Sequence, residues 1–256
     1  MSDTHSVSTT GTLNGATNTW LVPEEVPVAI LINSNSYAVM MATPANLEDF
    51  ALGFVLTEGI VAHHAHVKGI LLMKQKEGTS VDVAIPEEHL LRDQMVKRTL
   101  EGRVGCGLCG VAELSDALRM PREKVKPVAL TDSAVTKAFE SLPAHQPMNA
   151  ANHTVHAAAF ATVAGNILLA REDVGRHNAL DKLIGAMARK GQVPDDGFVL
   201  MSSRCSSELV QKCARVSLGA LATLSAPTAF ALQLAKQAGI TLAARAPEGV
   251  MMFEGH

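Results

Sequence analysis

Short apolar runs alternate with helix-patterned segments through the second half of the chain, and this rhythm restricts the possible folds more than any other feature. Strand-like runs occur at residues 198–201, 221–224 and 240–244, and helix-like segments at 207–218 and 228–238 separate them. Strands that are joined by helices usually lie parallel in one sheet. The pattern therefore predicts an α/β sandwich with parallel strand pairs.

A longer helix is predicted before these runs, at residues 178–190. Its apolar residues recur at the i, i+3, i+4, i+7 spacing of a buried stripe, namely Leu180, Leu183, Ile184 and Met187. Two strands at 155–163 and 167–170, joined by a Gly165-Asn166 turn, come ahead of it. Residues 127–256 are thus predicted to form one α/β domain.

Strand pairs predominate in the first half of the chain. A hairpin is predicted at residues 26–41 around Asn33-Ser34-Asn35, and a second strand pair at 67–74 and 80–85. Between the two pairs, residues 44–59 have apolar residues at helical spacing and end in a glycine. This half is therefore predicted to be a smaller α+β unit.

Composition changes at both ends of this unit. The first nineteen residues are rich in Ser, Thr, Asn and Gly, which favours a disordered tail. A polar helix is predicted at 86–100, and a charged connector with a proline follows at 121–126. The expected organisation is a tail at 1–20, an α+β part at 21–126 and the α/β domain at 127–256.

Charge and hydropathy exclude several classes of protein. Hydrophobic residues make up 47% of the chain, charged residues 18%, and the net charge is −3, so a globular protein without general affinity for nucleic acid or anionic membrane is expected. No Lys or Arg precedes Lys68, so the N-terminus fits neither a secretory signal nor a transit peptide, and a cytoplasmic location is expected. The uncharged stretch 216–235 contains Gly219 and Pro227, which favour a strand, a turn and a helix over membrane insertion.

Two cysteines stand in a glycine-rich run, Gly105-Cys106-Gly107-Leu108-Cys109-Gly110. Eight basic residues against five acidic ones across 92–126 favour the thiolate form. Three interpretations stay open: half of a zinc site, a redox pair, or a mobile nucleophilic loop that accepts and passes on sulfur. The remaining cysteines, Cys205 and Cys213, have poor spacing for completing a zinc site.

A second chemical candidate is the polar run from Arg171 to Lys182, which holds seven ionisable side chains between a predicted strand and a predicted helix. Ligands of α/β proteins bind at the carboxyl ends of strands, where a helix N-terminus attracts anions. Arg176 and His177 stand beside this helix start. We favour a polar ligand site, and a solvated, salt-bridged connector is the alternative.

A similar strand-to-helix junction follows at residues 202–208. Arg204 in this loop could hold a phosphate with two hydrogen bonds, whereas Ser206 or Ser207 is explained as a helix cap. His156 does not begin a zinc-deaminase signature, since Ala158 stands where that signature needs Glu. Deaminase chemistry is therefore not expected, and we assign no metal ligand.

Together these stretches resemble the FdhD family, the formate dehydrogenase accessory sulfurtransferases. The resemblance extends from about residue 27 to 253. It is carried by the Cys106–Cys109 loop, by Glu172-Asp173-Val174-Gly175-Arg176-His177-Asn178-Ala179-Leu180-Asp181-Lys182, and by Ser203-Arg204 with Glu208-Leu209-Val210-Gln211-Lys212. The chain departs from the family's usual Thr-Gly-Gly at Asn152-His153-Thr154, and from a usual Gly at Ser203.

The resemblance implies a cytidine-deaminase-like α/β sandwich with an additional smaller N-terminal α+β domain. It implies that Cys106 accepts persulfide sulfur from a cysteine desulfurase, that Cys109 assists, and that the sulfur passes to the molybdenum of a bis(molybdopterin guanine dinucleotide) cofactor needed by formate dehydrogenase. This cofactor is a bound substrate with a GDP-like part. The residues expected to bind it are Ala244, Arg245, Ala246, Pro247, Glu248, Gly249, Arg171, Arg176, His177 and Arg204.

A homodimer is expected because most soluble oligomers are symmetric dimers. The alternative function is a non-catalytic chaperone that binds the cofactor and formate dehydrogenase, with Cys106 and Cys109 forming a structural zinc clip or redox clip. Metal content and the acidity of the thiols distinguish the two functions.

Overall fold

The computed structural model describes residues 5–92 and 124–253. The described chain begins with a two-stranded hairpin, β1 (Ser6–Leu13) and β2 (Ala16–Pro23). The disordered tail predicted for residues 1–20 is therefore wrong from Ser6 onward. Asn14 and Gly15 connect the strands with φ angles of 50° and 82°. An Asn-Gly pair with both φ angles positive is the turn that best matches the twist of a hairpin.

A four-stranded sheet follows, in the order β4-β3-β6-β5. Strand β3 pairs in parallel with β6, and the two outer pairs are antiparallel. Helix α1 packs its apolar side against this sheet, as Phe50 and Phe54 are buried with Ile30 and Val81. The elements are β3 (Val26–Ile32), β4 (Asn35–Ala42), α1 (Leu47–Thr57), β5 (Gly69–Gln75) and β6 (Gly78–Ala84).

A six-stranded sheet forms the second half, in the order β12-β11-β10-β9-β7-β8. The predicted parallel pairs are confirmed for β9, β10 and β11, whereas β7, β8 and β12 pair antiparallel with their neighbours. The strands are β7 (His156–Thr162), β8 (Ile167–Asp173), β9 (Gly197–Arg204), β10 (Ala220–Ser225), β11 (Thr241–Ala246) and β12 (Gly249–Phe253).

Helices cover both faces of this sheet. The helices are α2 (Asp132–Ser141), α3 (Pro147–Asn152), α4 (Arg176–Arg189), α5 (Ser207–Arg215) and α6 (Ala229–Ala238). Helix α2 packs Val135 and Phe139 on an alanine-rich face, where small side chains allow a close approach. Helices α4, α5 and α6 pack on the other face. The α/β sandwich predicted from the sequence is confirmed.

Short 3-10 turns complete the described chain, at His64–His66, Glu87–His89, Leu142–His145 and Pro194–Asp196. The polar helix predicted at 86–100 begins instead with the turn at Glu87–His89, and residues 93–100 lie outside the described ranges. No helix within 5–92 and 124–253 is long and apolar enough to cross a membrane.

The two halves meet where helices α1 and α4 cross at backbone contact. A side chain on Gly53 would overlap the carbonyl oxygen of Asp181, and one on Gly185 would overlap that of Asp49. Only glycine permits this separation, because any Cβ would occupy the same space as a carbonyl group. The two sheets are thereby held in one fixed relation, which positions the polar residues discussed below.

Candidate functional site

The predicted cofactor-binding residues come together at one edge of the six-stranded sheet. Strands β8 and β9 are both antiparallel to β7, and β9, β10 and β11 are parallel, so four strands end at the same side. We call this side the carboxyl edge and define it by the strand ends Asp173, Arg204, Ser225 and Ala246. From β8 to β11 it spans four strand spacings, about 19 Å.

Three arginines give the carboxyl edge a positive character. Arg204 and Arg245 are exposed, and Arg176 is half-buried at the first turn of α4. Among the residues that the structure describes, no carboxylate forms an ion pair with any of the three, and the buried Nε of Arg176 has no hydrogen-bond acceptor. Three unpaired guanidinium groups are suited to binding phosphate.

Helix N-termini add to this positive character. Helices α4, α5 and α6 directly follow β8, β9 and β10, so all three begin at the carboxyl edge. Thr228 caps α6 by accepting a hydrogen bond from the backbone N–H of Ala231. The free N–H groups and the dipole at a helix start favour an anion.

Much of the Arg171–Lys182 run is structural rather than open to a ligand. The buried carboxylate of Asp173 accepts hydrogen bonds from the backbone of Thr43, the backbone of Gly175 and the side chain of Asn178, and it pairs with Lys182 at 2.6 Å. The Nζ of Lys182 also donates to the carbonyl of Thr43. These contacts attach the segment after β4 to the start of α4.

A second buried ion pair involves Asp181, the residue of α4 directly before Lys182. The carboxylate of Asp181 receives two hydrogen bonds of 2.9 Å from Lys212 and one of 2.7 Å from Thr57. Burial raises the pKa of Asp181, and the contacts from Lys212 and Thr57 oppose this rise. The pair joins α1, α4 and α5 beneath the carboxyl edge, and it helps to fix the position of α4, the helix that begins with Arg176.

Arg171 and Glu172 are also committed to contacts within the protein. The guanidinium of Arg171 forms a 2.8 Å ion pair with Asp49 of α1, which leaves it less available to a ligand than the other predicted arginines. Glu172 accepts hydrogen bonds from the backbone N–H groups of Met148 and Asn149 at the start of α3. Burial raises the pKa of Glu172 although these hydrogen bonds lower it.

His177 is buried, and it contacts two groups at the start of α5. Its Nε2 lies 3.4 Å from the Oγ of Ser206 and 3.8 Å from a carboxylate oxygen of Glu208. Partial burial raises the pKa of Glu208, but hydrogen bonds from His177, Ser206 and its own backbone outweigh this and lower the pKa to about 2. Glu208 is therefore ionised at neutral pH, and its contact with Nε2 orients the ring of His177.

His156 is a carboxyl-edge residue whose place the sequence pattern did not assign. It begins β7 directly opposite Asp173, and it is half-buried. Burial lowers the pKa of His156, and the charges of Arg176 and His177 lower it further, so its ring is neutral at pH 7. Counting back along the hairpin from the Gly165-Asn166 turn would have placed His156 at this edge.

The segment 244–249 lies at the far end of the carboxyl edge. Ala244, Arg245 and Ala246 end β11, Pro247 and Glu248 form the turn, and Gly249 begins β12. Part of the segment and helix α2 line a cavity of about 100 Å³, with Phe139 and Glu140 on the helix side. The structure thus brings Arg245 to the same edge as Arg176 and Arg204.

The two predicted sulfur-handling residues, Cys106 and Cys109, lie outside the described residues. The other two cysteines are buried free thiols in the core behind the carboxyl edge. Burial raises the pKa of Cys205 to about 12 and also raises that of Cys213. Both are therefore protonated at neutral pH and unsuited to attack a persulfide. Within 5–92 and 124–253, no cluster of three or more His, Cys, Asp or Glu side chains could hold a metal ion.

Comparison with known proteins adds to this geometry. The sequence profile of the FdhD/NarQ family matches residues 23–253. The chain belongs to the FdhD/NarQ family. Its relatives include the sulfur carrier protein FdhD of Bordetella bronchiseptica, 47% identical over 91% of this chain and 84% of the relative. That of Cupriavidus necator is 45% identical over 92% of this chain and 82% of the relative. The sulfur carrier protein FdhD of Xanthomonas euvesicatoria pv. vesicatoria is 46% identical over 87% of this chain and 79% of the relative.

FdhD/NarQ membership also agrees with a solved structure of the same fold. A crystal structure described as that of a proposed formate dehydrogenase accessory protein from Desulfotalea psychrophila superposes with a TM-score of 0.72. It covers 97% of this chain and 96% of its own, at 23% identity. His153 caps the C-terminal end of α3 with a φ of 54°, a left-handed conformation that glycine adopts more freely than other residues.

Proposed function

We propose that this chain is a sulfur carrier that serves formate dehydrogenase. Its relatives named sulfur carrier protein FdhD share 45–47% identity with it across most of both chains. Similarity at this level over most of the length supports the same role. The substrate is the guanine dinucleotide form of the molybdenum cofactor, and the sulfur donor is a cysteine desulfurase.

The observation that carries the proposal is the set of unpaired arginines at the carboxyl edge. Arg176, Arg204 and Arg245 have no carboxylate partner among the described residues, and three helices begin beside them. A dinucleotide presents two linked phosphates, which such groups bind through charge-assisted hydrogen bonds. We also propose that the sandwich is cytidine-deaminase-like, with the nucleotide at the carboxyl ends of its strands.

Sulfur loading is an exchange between two cysteines. The thiolate of Cys106 attacks the terminal sulfur of the desulfurase persulfide, and the bond between that sulfur and the desulfurase cysteine breaks. The new bond joins the terminal sulfur to Cys106, and the desulfurase leaves as a thiolate with the electron pair of the broken bond. No outside oxidant or reductant is needed, because the transferred sulfur keeps its oxidation state.

Delivery uses the second cysteine as the reductant. The thiolate of Cys109 attacks the Cys106 sulfur, a Cys106–Cys109 disulfide forms, and the terminal sulfur leaves as sulfide that the molybdenum accepts. The two thiols lose two electrons and the transferred sulfur gains them. A cellular dithiol reductant then restores both thiols. The arginines keep the cofactor bound during this step.

Calorimetric titration with GDP tests the nucleotide part of the proposal. Arg204→Ala and Arg245→Ala should each weaken binding at least about tenfold, since a hydrogen bond to a charged group contributes about 1.5–3 kcal/mol. Lys236→Ala, which removes an exposed cation near the other end of α6, is the control and should bind GDP like the wild type. Absence of GDP binding by the wild type, or equal affinity of all four proteins, would contradict the proposal.

A further inference from the structure

Hydrogen-bond donors at the start of α4 lack an acceptor within the described chain. Helix α4 begins after Gly175, and no described side chain caps its first backbone N–H groups. The Nε of Arg176, the first residue of the helix, is buried without a hydrogen-bond partner. Buried donors without an acceptor are rare in folded proteins, so these groups indicate an acceptor that comes from outside the described chain.

His156 lies beside these donors. It begins β7 directly opposite Asp173, the last residue of β8, from which the chain turns into α4. Ala158 and Phe160, at alternate positions of β7, belong to the core beneath α4, so strand alternation places His156 on the same face of the sheet. The ring is half-buried, and neither of its nitrogens forms a hydrogen bond with another described residue. Both nitrogens are therefore open to a ligand at the start of α4.

Positive charge acts on His156 from α4. Burial lowers the pKa of His156 most, the charges of Arg176 and His177 lower it further, and Asp173 on β8 opposes them. The carboxylate of Glu208, on α5, contacts His177. An anion placed among these groups would reverse the balance, because a negative charge close to an imidazole favours its protonated form.

The end of β9 is the other neighbour of His156. The Oγ of Ser202 accepts a 2.8 Å hydrogen bond from the backbone N–H of Ala157, which holds the start of β7 against β9. Arg204, the last residue of β9, is exposed and adds a third positive charge. The charged side chain of this strand end thus also favours an anion.

We propose that His156 and Arg176 together bind one phosphate group of the nucleotide at the start of α4, and that His156 takes up a proton as the phosphate binds. The inference rests on the proposed function and adds a binding residue to its three arginines. The guanidinium of Arg176, the uncapped N–H groups of α4 and the imidazolium of His156 all donate to the phosphate oxygens. One proton passes from solvent to the imidazole, and no other covalent bond forms or breaks.

Coupling to a proton gives the affinity a defined dependence on pH. Above the pKa of His156 in the unliganded protein, each binding event must take a proton from solvent. The affinity therefore falls as pH rises, by up to about tenfold per pH unit for one coupled proton, until the pKa of His156 in the complex is passed. A phosphate monoester loses its second proton near pH 6, so the terminal phosphate of GDP adds little to this slope above pH 7.

Isothermal titration calorimetry of the full-length protein with GDP measures the proton uptake. Titrations at pH 7.5 in Tris and in HEPES should give different binding enthalpies, because the two buffers absorb different heats when they release a proton. The affinity should also fall between pH 7 and pH 8.5. GDP binding with equal enthalpies in both buffers would overturn the inference and leave the proposed function standing. Absence of GDP binding would contradict the proposed function and, with it, this inference.

Two matched variants assign the proton. Glutamine donates a hydrogen bond but takes up no proton, so His156→Gln should bind GDP without uptake and with an affinity that is constant between pH 7 and pH 8.5. His64→Gln is the control and should behave like the wild type. Burial and His63 lower the pKa of His64, but His64 lines a cavity with Met187, about 16 Å along α4 from the start of the helix.

The contrary results are equally specific. A His156→Gln protein that takes up as many protons as the wild type would overturn the inference. If His156→Gln does not fold, the imidazole NMR resonances of the wild type decide the question without a substitution at this position. One histidine should titrate at higher pH with GDP bound than without it, and titration curves that are unchanged by GDP would overturn the inference.

Discussion

The Nζ of Lys182 lies 2.6 Å from a carboxylate oxygen of Asp173, and both side chains are completely buried. The pair holds the start of α4 against the segment after β4 through Thr43, which contacts both side chains. The arginine at the start of α4 therefore depends on this contact for its position at the carboxyl edge.

Removal of one partner leaves the other charge buried without compensation. Lys182→Met should lower the free energy of unfolding by about 3–5 kcal/mol, measured by urea denaturation. The control is Arg189→Met, because Arg189 is half-exposed in its ion pairs with Glu48 and Asp49 and should contribute less than about 1 kcal/mol. Similar losses in the two variants would show that burial of the Lys182–Asp173 pair is not important for stability.

Because α1 and α4 cross at backbone contact, replacing a glycine at the crossing by alanine should destabilise the protein, whereas the same replacement in an open helix stabilises it. In an open helix, Gly→Ala stabilises by about 1 kcal/mol. At Gly53 the new Cβ would overlap the carbonyl oxygen of Asp181, so Gly53→Ala should instead lower the melting temperature. Gly11→Ala, at an unobstructed position, should leave it nearly unchanged. A higher melting temperature for Gly53→Ala would disprove backbone contact between these helices.

The low pKa of Glu208 predicts that the stability of the fold decreases at acidic pH. Its pKa in the folded protein is about 2, below the ordinary 4.5, so the folded state binds fewer protons and ionised Glu208 stabilises the fold above pH 4.5. This stabilisation, up to about 3 kcal/mol at 1.4 kcal/mol per pKa unit, should disappear as pH falls from 4.5 towards 2. Urea denaturation should show that Glu208→Gln is less stable than wild type at pH 7, with the difference vanishing at pH 2. A difference independent of pH would contradict this assignment.

Most helices and strands could be predicted from the sequence because the spacing of apolar residues that indicates them is a local pattern. The stripe of Leu180, Leu183, Ile184 and Met187 predicted helix α4, which is confirmed at Arg176–Arg189. The hairpin at Ser6–Pro23 was missed although its signal is equally local, because the polar composition concealed the Asn14-Gly15 turn. Arg176 and Arg204, each predicted at a strand-to-helix junction, lie after β8 and at the end of β9, and these two strands end at the same side of the sheet.

The contact partners of the charged side chains at the end of β8 and the start of α4 could not be predicted from the neighbouring sequence. Its partners lie far away in the chain: Thr43 is 130 residues from Asp173, Thr57 is 124 from Asp181, and Asp49 is 122 from Arg171. Residue type and spacing cannot distinguish a carboxylate that meets a ligand from one that meets a distant backbone amide. For this reason the sequence could not show that a run interpreted as a ligand site also supplies many of the contacts between the two halves.

The central claim is that Cys106 carries the sulfur, and intact-mass spectrometry tests it most directly. After incubation with a cysteine desulfurase and cysteine, the wild type should gain the mass of one sulfur atom, which a thiol reductant removes. Cys205→Ala should load equally, because burial keeps the Cys205 thiol protonated. Cys106→Ala should gain no sulfur. If Cys106→Ala loads to the same extent as the wild type, Cys106 is not the carrier and the proposed function fails.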